Sequence, residues 1–459
     1  MTRRVSCERL DAELSGISQL NADDIALRAA SYWSSAPLQA ARIFLPRSTE
    51  EVSRVLKACN DADRQVVVHG GRTGCADGQA SGPDDIVLSL EKMNRIVEID
   101  PVDQLAIVEA GVILETLQQA VAHAGLFLPL DLGARGSCTI GGNIATNAGG
   151  VNVIRFGMMR SLVLGLEAVL PDGRVVSSMK RMIKDNSGYD LKQLFIGTEG
   201  TLGVVTRAVL RLHPANAGRC TAMAALADFE SVVSLLRLAR ERLGAWLISF
   251  EVMWGDYVRA VSLGHGVRAP AGDGHAFYAI VESEASREDA VAAFDEMLDG
   301  ALSAGIIADG VLAASEAERS KIWRIRDDFE PILREKPVYL FDVSLPIAGM
   351  KRYVDDVRER LRAIDPGATL HVFGHIGDGN LHLFIQRKAG DVGRGAYESC
   401  VYDPLRAFEG SISAEHGVGR EKKSWLGHSR SESEIELMKL LKRTLDPKGI
   451  LNAGVVFDA

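Results

Sequence analysis

No stretch of about 18 apolar residues occurs in this chain, so no segment predicts a membrane-spanning helix. Its six cysteines (Cys7, Cys59, Cys75, Cys138, Cys220 and Cys400) are scattered, with no C-x-x-C pair. That spacing offers no disulfide framework, zinc finger or iron–sulfur ligand set, and a reducing compartment fits it best. Positive charge is not in excess either. A net charge of -9 argues against nucleic acid and anionic membrane surfaces as partners. The start, MTRRVSCERLDAELSG, has no apolar centre and does not read as a signal peptide, so a cytoplasmic protein is expected. Two nucleotide signatures are also missing. No Gly-x-Gly-x-x-Gly opens a helix after the first strand and no G-x-x-x-x-G-K-[ST] occurs, which argues against a Rossmann nicotinamide site and a P-loop.

What remains is a 459-residue chain of ordinary globular composition, 47% hydrophobic and 25% charged. Roughly two to four domains fit that length. Residues 1–36 read as a helical lead-in. Short apolar strands at 65–71, 85–90, 95–100 and 105–111 mix with helical spacing at 50–63 and 115–125. SLVLGLEAVLPDGRVV (161–176) predicts a hairpin turning at Pro171-Asp172-Gly173. Longer helices follow at 229–244, 286–305 and 350–364, with strands around 275–283 and 338–346. The pattern is α+β, with domains expected over 37–214 and 215–459.

Two segments of the first half are glycine-rich. HGGRTG (69–74) follows a strand, and GARGSCTIGGNIATNAGG (133–150) interleaves glycines with Ser, Thr and Asn. Glycine lets backbone N–H groups approach an anion closely, and small polar side chains add donors. Either loop alone is satisfied by an ordinary tight turn; together they suggest a clasp for a diphosphate.

HGGRTG, PLDLGARGSCTIGGNIATNAGG (129–150) and KDNSGYDLKQLFIGTEGTLGVVT (184–206) resemble the flavin domain of the vanillyl-alcohol oxidase superfamily. Within it they resemble the FAD-linked D-2-hydroxyacid dehydrogenases, which include D-lactate and D-2-hydroxyglutarate dehydrogenases and the glycolate oxidase large subunit. The resemblance runs from about residue 37 to 457. It implies a PCMH-type FAD-binding domain, an α+β substrate and metal domain, and a C-terminal tail returning to the flavin domain. FAD contacts are expected from Gly70, Gly71, Arg72, Thr73 and Gly74 in the first loop. The second loop would contribute Asp131, Ser137, Thr139, Gly141, Gly142, Asn143 and Thr146. Gly203, Val205 and Asn452 complete the expected set. Relatives that tether the flavin often carry histidine just after the first Gly-Gly; Arg72 stands there, so non-covalent FAD is expected.

HVFGHIGDGNLHLF (371–384) packs three histidines around a turn flanked by alternating segments. A hairpin there would bring His375 and His382 onto neighbouring strands. Glu415 and His416, in SISAEHGVGREK (411–422), are further candidates. Two imidazoles and a carboxylate bind Zn²⁺ while leaving positions open, although a histidine alone is more often a hydrogen-bonded core residue. GHIGDGNLH and AEHGVG resemble the family's two C-terminal signatures. The resemblance implies His375, His382 and Glu415 as ligands of a divalent metal, zinc first and manganese second, and His416 as the base. His371 falls outside that set, as a supporting or packing residue. Arg326, by its spacing from Trp323, matches the family's carboxylate-binding arginine. The implied reaction oxidises a D-2-hydroxy acid to the 2-oxo acid. An acceptor protein or a quinone would take the electrons, and the chain would act alone, as a homodimer, or as the catalytic subunit of a glycolate-oxidase-type complex.

The sequence departs from the family in one respect. Enzymes specific for 2-hydroxyglutarate hold its distal carboxylate with threonine, lysine and asparagine; the matching positions here are Glu330, Leu340 and Phe384. An apolar wall and a like charge would repel a second carboxylate. The expected substrate therefore has an uncharged, aliphatic or aromatic side chain, as in D-lactate-like acids. The alternative is a 2-hydroxyglutarate enzyme with an unusual pocket.

Overall fold

Residues 7–215, 218–334 and 337–458 are described by a computed structural model. Two units form: Met1–Gly149 with Gly157–Ala215 and Glu415–Ala459, and Gly150–Phe156 with Asn216–Ala414. Among the described residues no helix is long and apolar enough to cross a membrane.

In the first unit, Arg42–Phe44, Ile86–Ser89 and Val66–His69 form a parallel three-stranded sheet with Ile86–Ser89 in the middle. The helix Thr49–Asp61 packs Val52, Val55, Leu56 and Cys59 into the core beside this sheet. Its start is fixed by Ser48, whose hydroxyl accepts from Glu51 N–H. The second sheet is antiparallel, in the order Val175–Ser178, Val163–Val169, Val204–Arg211, Leu105–Glu109, Ile96–Asp100. The expected hairpin at 161–176 is its edge pair. The tail returns to this unit, where Val66 N–H donates to Ile450 C=O at 2.8 Å.

The lead-in is less helical than its sequence suggests. Residues 1–6 lie outside the described residues. Beyond them come the helices Cys7–Glu13 and Ala22–Ala26, then an antiparallel hairpin, Ala29–Ser31 with Ser34–Pro37. Its strands are small and polar, so no apolar alternation announces them.

The second unit is built on a seven-stranded antiparallel sheet. Its order is Asp309–Leu312, Arg219–Leu226, Phe277–Glu284, Leu247–Trp254, Thr369–Gly374, Asn380–Gln386, Val338–Ser344. Leu247–Trp254 is central and wholly buried, the continuous apolar pattern of a strand covered on both faces. The segment KIWRIRDDFEPIL (321–333) does not form one helix: Glu316–Asp327 ends at Asp328, and Glu330–Arg334 restarts after Phe329.

Candidate active site

In the first unit the two glycine loops meet at their backbones. A Cβ on Gly71 would lie 2.1 Å from Ser137 C=O, and one on Gly70 would lie 2.5 Å from Thr139 Oγ1. Three carbonyls of the first loop are occupied: Tyr32 N–H donates to Arg72 C=O, Trp33 Nε1 to Thr73 C=O, and Gln79 Nε2 to Gly74 C=O. By contrast, the amides of Gly71, Arg72, Thr73 and Gly74 have no backbone acceptor among the described residues. Arg72 has φ +56°, so successive N–H groups converge as they do in anion-binding nests. Consecutive unpaired amides between small residues are the donor set a diphosphate needs, and FAD fits this loop pair on that ground.

The other expected flavin contacts have defined places. Asn143 and Thr146 lie on the short helix Ile140–Thr146, capped by Thr139, with Gly141 packed against Ala110. Gly203 packs against Phe195 beside Val205, and Asp131 pairs with Arg135. Asn452 serves the protein: it accepts from Val68 N–H at 2.9 Å and donates to Glu199 C=O at 2.6 Å. Just before the first loop, the His69 imidazole bonds Gln79 C=O, and burial pushes its pKa down to about 4. A depressed folded pKa means stability that is present above the unfolded value of 6.5 and lost as pH falls through about 4. Urea unfolding should therefore show a loss of about 3 kcal/mol between those limits, and His69→Gln should flatten that limb. An unchanged limb in the variant would refute the assignment.

In the second unit the histidine hairpin forms, with His382 within its second strand and His375 one residue past the end of the first. Thr369–Gly374 pairs with Asn380–Gln386, placing Phe373 opposite His382 and His371 opposite Phe384. Gly379, at φ +92°, closes the turn between them. The rings of His375 and His382 lie 5.3 Å apart, centroid to centroid, and both are buried. His371 bonds Gln386 at 3.2 Å, a supporting role.

Two buried acids lie beside these rings. His375 Nδ1 lies 2.7 Å from Glu251 Oε1, and His382 Nδ1 lies 3.6 Å from Asp342 Oδ1. Glu251 also accepts from Arg326 Nε at 3.0 Å, while another Arg326 nitrogen lies 3.0 Å from His375 Nε2. Nδ1–H toward the acid leaves the lone pair on Nε2, and in His375 that lone pair faces the Arg326 guanidinium. Burial alone would raise the Glu251 pKa, but His375 and Arg326 outweigh it and hold the carboxylate ionised. Asp342 further accepts from Asn380 Nδ2 at 2.7 Å and Ala414 N–H at 3.0 Å. Among the described residues, Asp342 and His382, but not His375, belong to a group of imidazoles and carboxylates that could hold a metal ion. Glu415 and His416 follow Ala414 directly in the chain, and their side chains approach to 3.7 Å. Sequence reading missed Glu251 and Asp342. The available signal was an acid inside an otherwise apolar strand, in LISFEVMW and VYLFDVS.

Leu340 and Phe384 sit directly opposite on paired strands, and the Phe384 ring meets Phe329 at 5.1 Å and Phe373 at 5.2 Å. Glu330 departs from expectation. The break at 328–329 turns it outward, where its side chain is 56% exposed and paired with Arg334. The apolar wall is present; the like charge is directed to solvent and neutralised.

Residues 40–178 match the family described as FAD binding domain, and residues 215–456 match FAD linked oxidases, C-terminal domain. The chain belongs to the FAD-linked oxidase family. It is 41% identical over 412 residues to a mitochondrial D-2-hydroxyglutarate dehydrogenase of Bos taurus, covering 89% of this chain and 75% of that protein. It is 38% identical over 421 residues to a putative mitochondrial D-lactate dehydrogenase of Schizosaccharomyces pombe, covering 88% and 80%. The solved structure of p-cresol methylhydroxylase with substrate bound shares the fold, with a TM-score of 0.76 at 15% identity over 98% of this chain and 97% of that one. This FAD-linked oxidase is thus an FAD-dependent oxidoreductase of the D-2-hydroxyacid dehydrogenase type.

Proposed function

We propose that this FAD-linked oxidase converts a D-2-hydroxy acid with an uncharged side chain to its 2-oxo acid. The observation that supports the substrate reading is the apolar cluster of buried Phe384 with partly buried Leu340 and Phe329. It occupies positions where the resemblance assigns polar contacts to a distal carboxylate. Desolvating a second carboxylate against such a wall is unfavourable.

Non-covalent FAD supplies the hydride acceptor, and a divalent metal supplies Lewis acidity at the substrate hydroxyl. In this proposal His375, His382 and Glu415 hold the metal, zinc first and manganese second. Arg326 pairs with the substrate carboxylate. Its guanidinium is positioned by Glu251 and by Phe373, whose ring centre lies 5.3 Å away. His416 takes the hydroxyl proton, a task suited to an imidazole near neutral pH. Electrons leave to an acceptor protein or a quinone.

A second reading, 2-hydroxyglutarate as substrate, is favoured by the name and 41% identity of the bovine relative. Anaerobic bleaching of the flavin absorbance with D- and L-2-hydroxy acids separates the two, with and without chelator. Uncharged D-acids should bleach it about tenfold faster than 2-hydroxyglutarate, an effect of one unfavourable carboxylate contact. Metal removal should slow bleaching by a similar factor or more. Faster bleaching by 2-hydroxyglutarate would replace the first reading with the second, and unchanged bleaching after complete metal removal would eliminate the metal's role.

A further inference from the structure

The hairpin Ala29–Ser31 and Ser34–Pro37 has a two-residue tip, Tyr32-Trp33, and that tip lies on the first glycine loop. Tyr32 N–H donates to Arg72 C=O at 3.0 Å, Trp33 Nε1 donates to Thr73 C=O at 3.3 Å, and the Arg72 guanidinium donates to Ala29 C=O. Arg28, just before the hairpin, pairs with Glu91 at 2.7 Å and anchors its base. Despite these bonds both rings remain open to solvent, Tyr32 at 66% and Trp33 at 45%, stacked edge to face at 5.2 Å. The carbonyls of Arg72 and Thr73 are tied to the tip, and the Thr73 and Gly74 amides of the same peptide planes point the opposite way, toward an anionic partner.

We propose that this hairpin tip is part of the flavin site. Trp33 is a positioning residue: by holding the Thr73 carbonyl it keeps the amides of 71–74 turned toward the diphosphate. The proposal rests on the FAD assignment and adds a segment that the glycine motifs do not contain.

Apoprotein titrated with FAD tests it, using Trp33→Phe, Trp33→Ala and, as a control outside the flavin motifs, Leu302→Ala, which alters a 55% exposed side chain on the helix Glu288–Ser303. Trp33→Phe keeps a ring and removes one hydrogen bond, so the FAD dissociation constant should rise about fivefold. Trp33→Ala removes the ring as well and should raise it several-fold more, with faster flavin release on dilution. Leu302→Ala should match the wild type. Apoprotein melting should stay unchanged in all three, which a purely structural role for Trp33 would not permit. FAD binding should also quench tryptophan emission less in Trp33→Phe than in the wild type. Wild-type dissociation constants, release rates and quenching in both Trp33 variants would overturn the proposal. Failure of the wild-type apoprotein itself to take up FAD would overturn the cofactor assignment instead.

Discussion

Glu251→Ala should destabilise the protein by about 3–5 kcal/mol and lower turnover at least a hundredfold. The carboxylate is 1% exposed, in the middle strand of the seven-stranded sheet, and it is ion-paired to Arg326 and hydrogen-bonded to His375. Removing it leaves the Arg326 charge, itself 9% exposed, without that counter-ion and frees the His375 ring to change tautomer. Both consequences have the same sign. The buried guanidinium destabilises the fold, and a mobile imidazole and arginine disturb the metal and carboxylate contacts assigned to them. Glu251→Gln separates the two: the amide keeps an acceptor and the volume but loses the charge. It should fold with a smaller loss, and its metal should be stripped at 10- to 100-fold lower chelator concentration, about the range for removing a ligand's supporting acid. Urea unfolding and metal analysis after graded chelation measure both. A stable, fully active Glu251→Ala protein would refute the orienting role.

Glu251 also marks where sequence reading reached its limit. The glycine loops and the histidine hairpin were legible because their signals are local: glycine clusters, a Gly-Asp-Gly turn, and alternation that fixes which side chains share a face. Alternation alone does not fix the register that sets Phe373 opposite His382, which depends on how the turn closes at Gly379. Glu251 is 124 residues from His375 and 75 from Arg326, so their meeting depends on strand order, which no local pattern carries. Its one trace was an acid in an apolar strand. Glu330 failed differently: counting along a helix assumes the helix continues, and the break at 328–329 rotated the residue away from the wall formed by its neighbour Phe329. The Tyr32-Trp33 hairpin failed because AAS and SSAP are held by bonds to distant residues and not by their own apolar faces.

Gly71→Ala should abolish flavin retention while leaving the second unit's sheet intact. The residue has no positive φ, so the defect is one of space alone. A methyl group there would lie 2.1 Å from Ser137 C=O, 2.9 Å from Cys138 Cα and 3.0 Å from Ser137 C. All three are backbone atoms, and no side chain can rotate aside to make room. The two glycine loops must separate, which pulls the amides of 71–74 away from the second loop and opens the pair at the point where FAD is held. Overpacking of this kind costs about 1–3 kcal/mol, and more when backbone must move. Gly133→Ala is the matched control. It lies in the second glycine-rich segment, has no atom within 4 Å of a built Cβ and has no positive φ, so it should keep its flavin. The absorbance ratio of flavin to protein after gel filtration distinguishes the two variants. Full flavin content in Gly71→Ala would show that the close approach of the loops is not what binds the cofactor, because a single methyl group cannot fit there without parting them.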